Sequence, residues 1–310
     1  MKKVMFGFFA AMLLIGAQAM AQDEKPIWQP SIDITLQYAS RYMSDGKIIN
    51  PESMLFGDLM LGWDFKEFGG IYIGTWVAND WNDYNEAKPH HQGPGAVQYE
   101  PEEIDYYFGY TYKLANVPVI DSLNFDLCYA YWDYPKRTKW PSPGETERKI
   151  SFDVSTGDFA ITENFTWKPG FMIGWDHEND EWQVKPYVKT TAKLMDNLSF
   201  KNSLELFWFN ARWMCGGGKG THHHEVDEEG EPTNSIEDAY KSGLYTLVWS
   251  SELSFAITEN ISVGPFAKLS WVLDHDYRET WKDKDNRYYS GANSKSGMNT
   301  LWGIQLSFSF

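Results

Sequence analysis

The chain ends MNTLWGIQLSFSF, residues 298–310, and the reading of this stretch decides the fold. Met298, Thr300, Trp302, Ile304, Leu306, Phe308 and Phe310 fall on one parity, and Asn299, Leu301, Gly303, Gln305, Ser307 and Ser309 on the other. Successive side chains of a strand point to opposite faces, so this period of two describes a strand with one apolar face. The alternation continues up the chain. Ile261, Val263, Pro265, Ala267, Leu269 and Trp271 interleave with Ser262, Gly264, Lys268 and Ser270; Trp182, Val184, Pro186, Val188 and Ala192 interleave with Gln183, Lys185, Lys189, Thr191 and Lys193. Three lysines on one face and no charge on the other place such a strand between two media of different polarity.

About twelve runs of this kind are visible, near 31–43, 54–65, 70–80, 102–114, 122–134, 149–161, 164–177, 181–194, 197–213, 241–257, 260–275 and 297–310, with no helical period of useful length between them. The gaps alternate. Those at 44–53, 81–101, 135–148, 215–240 and 276–296 are long, with 178–180 the one short gap of that parity, while those at 66–69, 115–121, 162–163, 195–196 and 258–259 are short. Phe-Ala-Ile-Thr-Glu-Asn occurs twice, at Phe159–Asn164 and Phe255–Asn260, each time at a short gap of the same parity. Thr and Asn bond local backbone readily and Asn tolerates left-handed geometry, so the repeat reads as a tight turn written twice rather than as a site.

The chain opens MKKVMFGFFAAMLLIGAQAMAQDE, with two lysines, an apolar run from Val4 to Ala17 and the small residues Ala19 and Ala21. This is the pattern of a secretory signal peptide over residues 1–21, which leaves a single mature domain over residues 22–310. Removing Lys2 and Lys3 leaves 25 basic against 43 acidic residues, a net charge of -18. Such an acidic chain is a poor partner for nucleic acid. Beyond Ala21 no stretch approaches the roughly 18 apolar residues of a transmembrane helix, yet 17% of the chain is Phe, Trp or Tyr. Two cysteines, Cys128 and Cys215, are too few for a disulfide scaffold.

Long connections at one end and tight turns at the other describe an all-β, up-and-down antiparallel transmembrane barrel with long extracellular loops and short periplasmic turns. Aromatic residues support it: Phe165, Phe200, Phe255, Phe308 and Phe310 sit at the turn ends of the apolar faces, and Tyr42, Tyr131, Trp175, Trp182, Trp208, Tyr245 and Trp271 towards the loop ends. Two such girdles mark the two membrane interfaces. A soluble two-sheet sandwich also alternates, but has no need of aromatic rings at both ends.

The export signal, the loop rule and the terminal strand TLWGIQLSFSF together resemble Gram-negative outer-membrane β-barrels. The segments DITLQYASRYMSDGKIINPES and GDLMLGWDFKEFGGIYIGTWVANDW resemble porin-like families of the TorF and MipA types. The resemblance implies residence in the bacterial outer membrane, passage through periplasmic chaperones, and delivery to the barrel assembly machinery with Trp302, Phe308 and Phe310 as the insertion signal. It also implies a porin-like channel for passive diffusion of small hydrophilic solutes, with outer-membrane lipid as its surroundings and no cofactor. A closed-lumen structural or surface-interaction barrel is the alternative, since one barrel fold serves many functions.

Function must then come from the lumen and the loops. Twelve strands enclose a backbone cylinder roughly 24 Å across, narrowed by inward side chains. The inward parity carries Asp33, Arg41, Asp58, Asp105, Asp126 and Asp153 on the first half, and Lys168, Lys185, Lys189, Lys193, Lys201, Glu205, Glu252 and Lys268 on the second. These are the candidate pore-lining residues. They predict a mainly acidic wall facing a mainly basic one, either as a transverse field across an open pore or as pairs across a plugged one. Trp76, Tyr107, Trp132, Phe207 and Phe209 share the inward parity and either stack on solutes or fill space.

Enzyme readings fare less well. No histidine is followed by Ser two residues later, which removes the nucleophile and base of outer-membrane phospholipases. Asp176-His177 and Asp274-His275-Asp276 lie at loop ends, in place for a rim hydrolase but with the wrong spacing. His222 and His224, within Thr221–Glu229, are candidate metal ligands, against the plainer reading of a solvated acidic loop.

Overall fold

The computed structural model describes residues 29–45, 47–50, 53–80, 103–133, 146–177, 180–210, 242–273 and 298–310. These carry β1 (Ser31–Ala39), β2 (Tyr42–Ser44), β3 (Lys47–Asn50), β4 (Met54–Asp64), β5 (Gly70–Asp80), β6 (Glu103–Val117), β7 (Asp121–Asp133), β8 (Thr146–Thr156), β9 (Phe159–Thr162), β10 (Phe165–Asp176), β11 (Glu181–Met195), β12 (Leu198–Phe209), β13 (Gly243–Ala256), β14 (Ile261–Val272) and β15 (Met298–Ser309). Twelve of them, β1, β4 to β8 and β10 to β15, pair antiparallel with their neighbours in chain order, and β15 returns to β1. The result is a closed barrel of the transmembrane type, with β9 as a short extension beside β10.

The terminal strand makes the closure. Asp33 to Ala39 of β1 register against Ser309 to Gly303 of β15, and Phe310 and Ile32 exchange backbone hydrogen bonds of 2.9 and 3.0 Å. An open sheet would leave this row of donors and acceptors unpaired in lipid, which closure avoids. The parity read from the sequence is the parity of the wall: Trp302 and Ile304 are 62% and 51% exposed, whereas Asn299 and Leu301 between the outward residues are buried. Ile73, Phe108, Phe152, Phe171 and Leu204 are exposed likewise. A belt of exposed apolar side chains around a polar interior is the inverse of a water-soluble domain.

Both copies of the repeated hexapeptide turn in the same way. The Asn164 N–H donates to Thr162 Oγ1 at 3.3 Å, and the Asn260 N–H to Thr258 Oγ1 at 3.2 Å. Each is a threonine bonding backbone two residues on, and each turns one strand into the next. The long connections 81–102, 134–145, 211–241 and 274–297 lie outside the described residues.

Two expected girdle residues belong inside. The first strand stops at Ala39 instead of running to 43; the chain bends at Ser40 and Arg41, and Tyr42 is buried with Met54 and Ala78. On β13 the register against β12 shifts between Phe207 and Trp208, and Tyr245 packs against Phe209 with ring centres 5.9 Å apart. A bulge adds one residue and so re-aims a side chain, which parity alone cannot foresee.

Candidate functional site: the barrel interior

Three inward tyrosines set the geometry of the wall. Tyr72 on β5 lies opposite Gly109 on β6, and its hydroxyl donates to Asp126 on β7 at 2.7 Å. Tyr107 on β6 lies opposite Gly74 on β5 and donates to Asp58 on β4 at 2.6 Å. Tyr187 on β11 lies opposite Gly170 on β10 and donates to Asp153 on β8 at 2.6 Å. In each case the ring lies flat across the glycine: a Cβ built on Gly74, Gly109 or Gly170 would stand 2.3 Å from a tyrosine Cζ. Phe266 covers Gly303 in the same manner. The bare backbone of a glycine admits a ring that any other residue would hold off, and the ring shields the strand in return.

The acidic wall is therefore an array of phenol-capped carboxylates. On the basic wall Lys185 pairs with Glu205 at 3.3 Å and Lys201 with Glu252 at 3.0 Å, so these lysines find partners on their own side of the lumen. Lys189 stands over the Tyr187 ring at 4.9 Å. Lys193 is exposed near the turn end. Asp33 accepts from Ser309 at the turn end, and Asp105 sits beside Glu103, Glu147 and Asp58 towards the loop end. Arg41 lies in the bend between β1 and β2 rather than on a barrel strand.

At the loop end the β2–β3 hairpin folds into the lumen. Met43 packs with Ala39 and Leu301 and against Phe56 and Phe266. Tyr42 donates to Glu103 at 2.7 Å and touches Phe56 and Trp76, ring centres 5.5 and 5.8 Å away. The hairpin tip reaches much further: Gln183 Nε2 on β11 donates to Asp45 Oδ1 at 2.8 Å, and Thr246 Oγ1 on β13 donates to the Asp45 carbonyl at 2.9 Å. In the ring of strands β11 lies five places from β1, close to the opposite wall.

Towards the turn end the interior opens. A cavity of about 270 Å³ is lined by Gln37, Lys189, Lys201, Glu252, Lys268 and Gln305, among others. Gln37 and Gln305 hydrogen-bond to each other across the β1–β15 seam. Phe207, Phe209, Tyr245 and Val248 form a buried cluster at the loop end, with Trp132 packed on it and Lys149 above the Trp132 ring at 5.3 Å. The lumen is thus polar and hollow below, aromatic and filled above.

The other candidates distribute simply. Trp302 and Phe308 lie on the outward face of β15, with Phe308 stacked on Phe310 at 6.4 Å. Asp176 is buried and His177 is exposed, its ring 5.9 Å from Trp175. Asp274–Asp276, His222, His224 and Cys215 lie outside the described residues; Cys128 is a free thiol. Among the described residues no group of three or more His, Cys, Asp and Glu is placed to hold a metal ion.

Asp45, Lys149, Gln183 and Thr246 were not singled out by the sequence as partners. A hydrogen bond between residues 201 positions apart has no local signature. The tyrosine and glycine exchange does have one: Tyr72-Ile-Gly74 and Tyr107-Phe-Gly109 share a spacing of two, so antiparallel pairing sets each ring on the other strand's glycine.

No family model matches the chain, and no curated protein matches it. Among solved structures it is similar to the KdgM porin, at 8% identity and TM-score 0.42 over 90% of this chain and 99% of that one. It is similar to an outer membrane channel from Pseudomonas putida F1, at 8% identity and TM-score 0.46 over 94% and 98%. The β domain of the Bordetella autotransporter BrkA stands alongside, at 8% identity and TM-score 0.40 over 91% and 98%. Likenesses at this level add nothing to what the chain's own strands show: a twelve-stranded antiparallel barrel.

Proposed function

We propose that this chain is an outer-membrane channel for the passive diffusion of small hydrophilic solutes, exported through a cleaved signal peptide and placed by the barrel assembly machinery. One observation carries the reading. The turn-end half of the interior holds a cavity lined by lysine, glutamate and glutamine, which a barrel built only to be filled has no need of. Water and small polar solutes are at home beside such groups. Charged solutes meet lysines on one wall and hydrogen-bonded carboxylates on the other, with Asp33, Asp58, Asp105 and Asp126 facing Lys185, Lys189, Lys193, Lys201 and Lys268 as pore-lining residues, and Glu205 and Glu252 tempering the basic side.

Proteoliposome swelling tests this reading. Vesicles holding the refolded mature chain, placed in iso-osmotic solutions of small neutral sugars, should swell faster than empty vesicles, and faster for smaller sugars. Equal rates with a folded barrel favour the second reading, a closed-lumen barrel acting through its loops, whose support is the packing of Tyr42 and Met43 inside the loop end.

A further inference from the structure

We propose that the β2–β3 hairpin is the constriction of this lumen and that Asp45 at its tip is the residue that sets charge selectivity; the proposal rests on the channel reading above. A loop that merely covered a barrel mouth would pack against the rim beside its own strands. This one leaves β1, crosses the interior and is held at the far side. Asp45 has φ 49°, a left-handed turn geometry that Asp adopts more readily than most residues, and it offers its two acceptors to two different strands. Its carboxylate takes Gln183 Nε2 and its carbonyl takes Thr246 Oγ1. Gln183 and Thr246 are themselves fully buried, and each would lose a partner if the tip withdrew.

Charge points the same way. The Asp45 carboxylate acts electrostatically on Lys149 of β8 and on Lys268 of β14, and Lys149 donates to the Gln183 side-chain carbonyl. Asp45 therefore brings one negative charge within electrostatic reach of lysines on two strands, β8 and β14. Lys268 also lines the turn-end cavity, so the charge at the tip is felt on that cavity's wall. A cation crossing this level meets a carboxylate, and an anion meets lysines that Asp45 helps to counter, alongside Glu205 at Lys268 and Glu147 and Glu181 at Lys149. Removing that carboxylate leaves Lys149 and Lys268 facing the lumen without it, and the preference turns towards anions.

The hairpin stem adds the barrier itself. Tyr42 and Met43 seal the β1, β4 and β15 side of the mouth.

The test is planar-bilayer recording on four refolded chains, each first shown to be folded by its heat-modifiable gel mobility. These are the wild type, Asp45→Asn, and a chain whose residues 43–48 are replaced by Gly-Ser; Asp196→Asn, at an exposed tight turn, controls for net charge. The shortened hairpin should raise unitary conductance severalfold, and Asp45→Asn should shift the reversal potential in a salt gradient towards anions while Asp196→Asn does not. A wild type that is silent beside a conducting shortened chain overturns the passive-channel reading, and with it Asp45 as the residue that sets its selectivity. Wild-type conductance and selectivity unchanged by both variants overturn the proposal and leave the channel reading standing. Silence from every folded variant overturns both. Asp45→Asn keeps the side chain's shape, so it stays informative if the shortened chain does not fold.

Discussion

Tyr72 reaches Asp126 from two strands away, at 2.7 Å, by lying across Gly109. The contact joins β5, β6 and β7 through one side chain, and its mirror, Tyr107 over Gly74 to Asp58, joins β6, β5 and β4. A methyl group on Gly109 should lift the ring and part the phenol from the carboxylate. Gly109→Ala is expected to lower the unfolding free energy by about 1–3 kcal/mol. In a Tyr72→Ala background the same change should cost much less, because the obstructed ring is gone. Urea unfolding of the four chains in lipid vesicles measures the coupling, and additive effects would show that the ring does not lean on the glycine.

The two hexapeptide turns make the same local bond, so they should respond alike. Thr162→Val and Thr258→Val each remove one exposed side-chain bond to backbone, of 3.3 and 3.2 Å, and each is expected to cost under about 1 kcal/mol. The double variant should cost the sum, since the turns lie on different strand pairs.

Neighbouring positions on β15 should differ sharply. Ile304 is 51% exposed on the outer face, and an Ile304→Arg change there should cost about 2–4 kcal/mol in a bilayer. Gln305 lies on the lumen face, and Gln305→Arg should cost below about 1 kcal/mol. Refolding into vesicles of defined lipid compares the two, and equal costs would contradict the assigned faces.

Ion pairs on the basic wall make a graded prediction. Lys185 and Glu205 are 23% and 20% exposed, while Lys201 in its pair with Glu252 is 46% exposed and better solvated. Neutralising Glu205 by Glu205→Gln should therefore move the salt-gradient reversal potential towards anions by more than Glu252→Gln does.

The barrel was legible because period two is written into every strand: Trp302 and Ile304 point out, Leu301 and Gly303 point in, and the tight turns repeat a hexapeptide. Arg41 lies in the bend after β1, whereas the shared parity of Asp58 and Asp126, and of Lys185 and Lys201, was legible for the same reason. Their partners were not. That Asp126 belongs to Tyr72 depends on strand register, which local sequence does not carry, and Tyr245 turns inward through a bulge. Tyr42 looked like one more outward aromatic because it shares the parity of Ile32, Ile34, Leu36 and Tyr38. The bend at Ser40 and Arg41 that sends it inside is stabilised by contacts made on strands far away in sequence, at Glu103, Gln183 and Thr246.

Single-channel recording of the refolded chain Gln22–Phe310 in a planar bilayer tests the central claim most directly. Discrete, reproducible conductance steps with a measurable preference between cation and anion are the predicted result. A membrane that stays silent with barrels independently shown to be folded and inserted would contradict it.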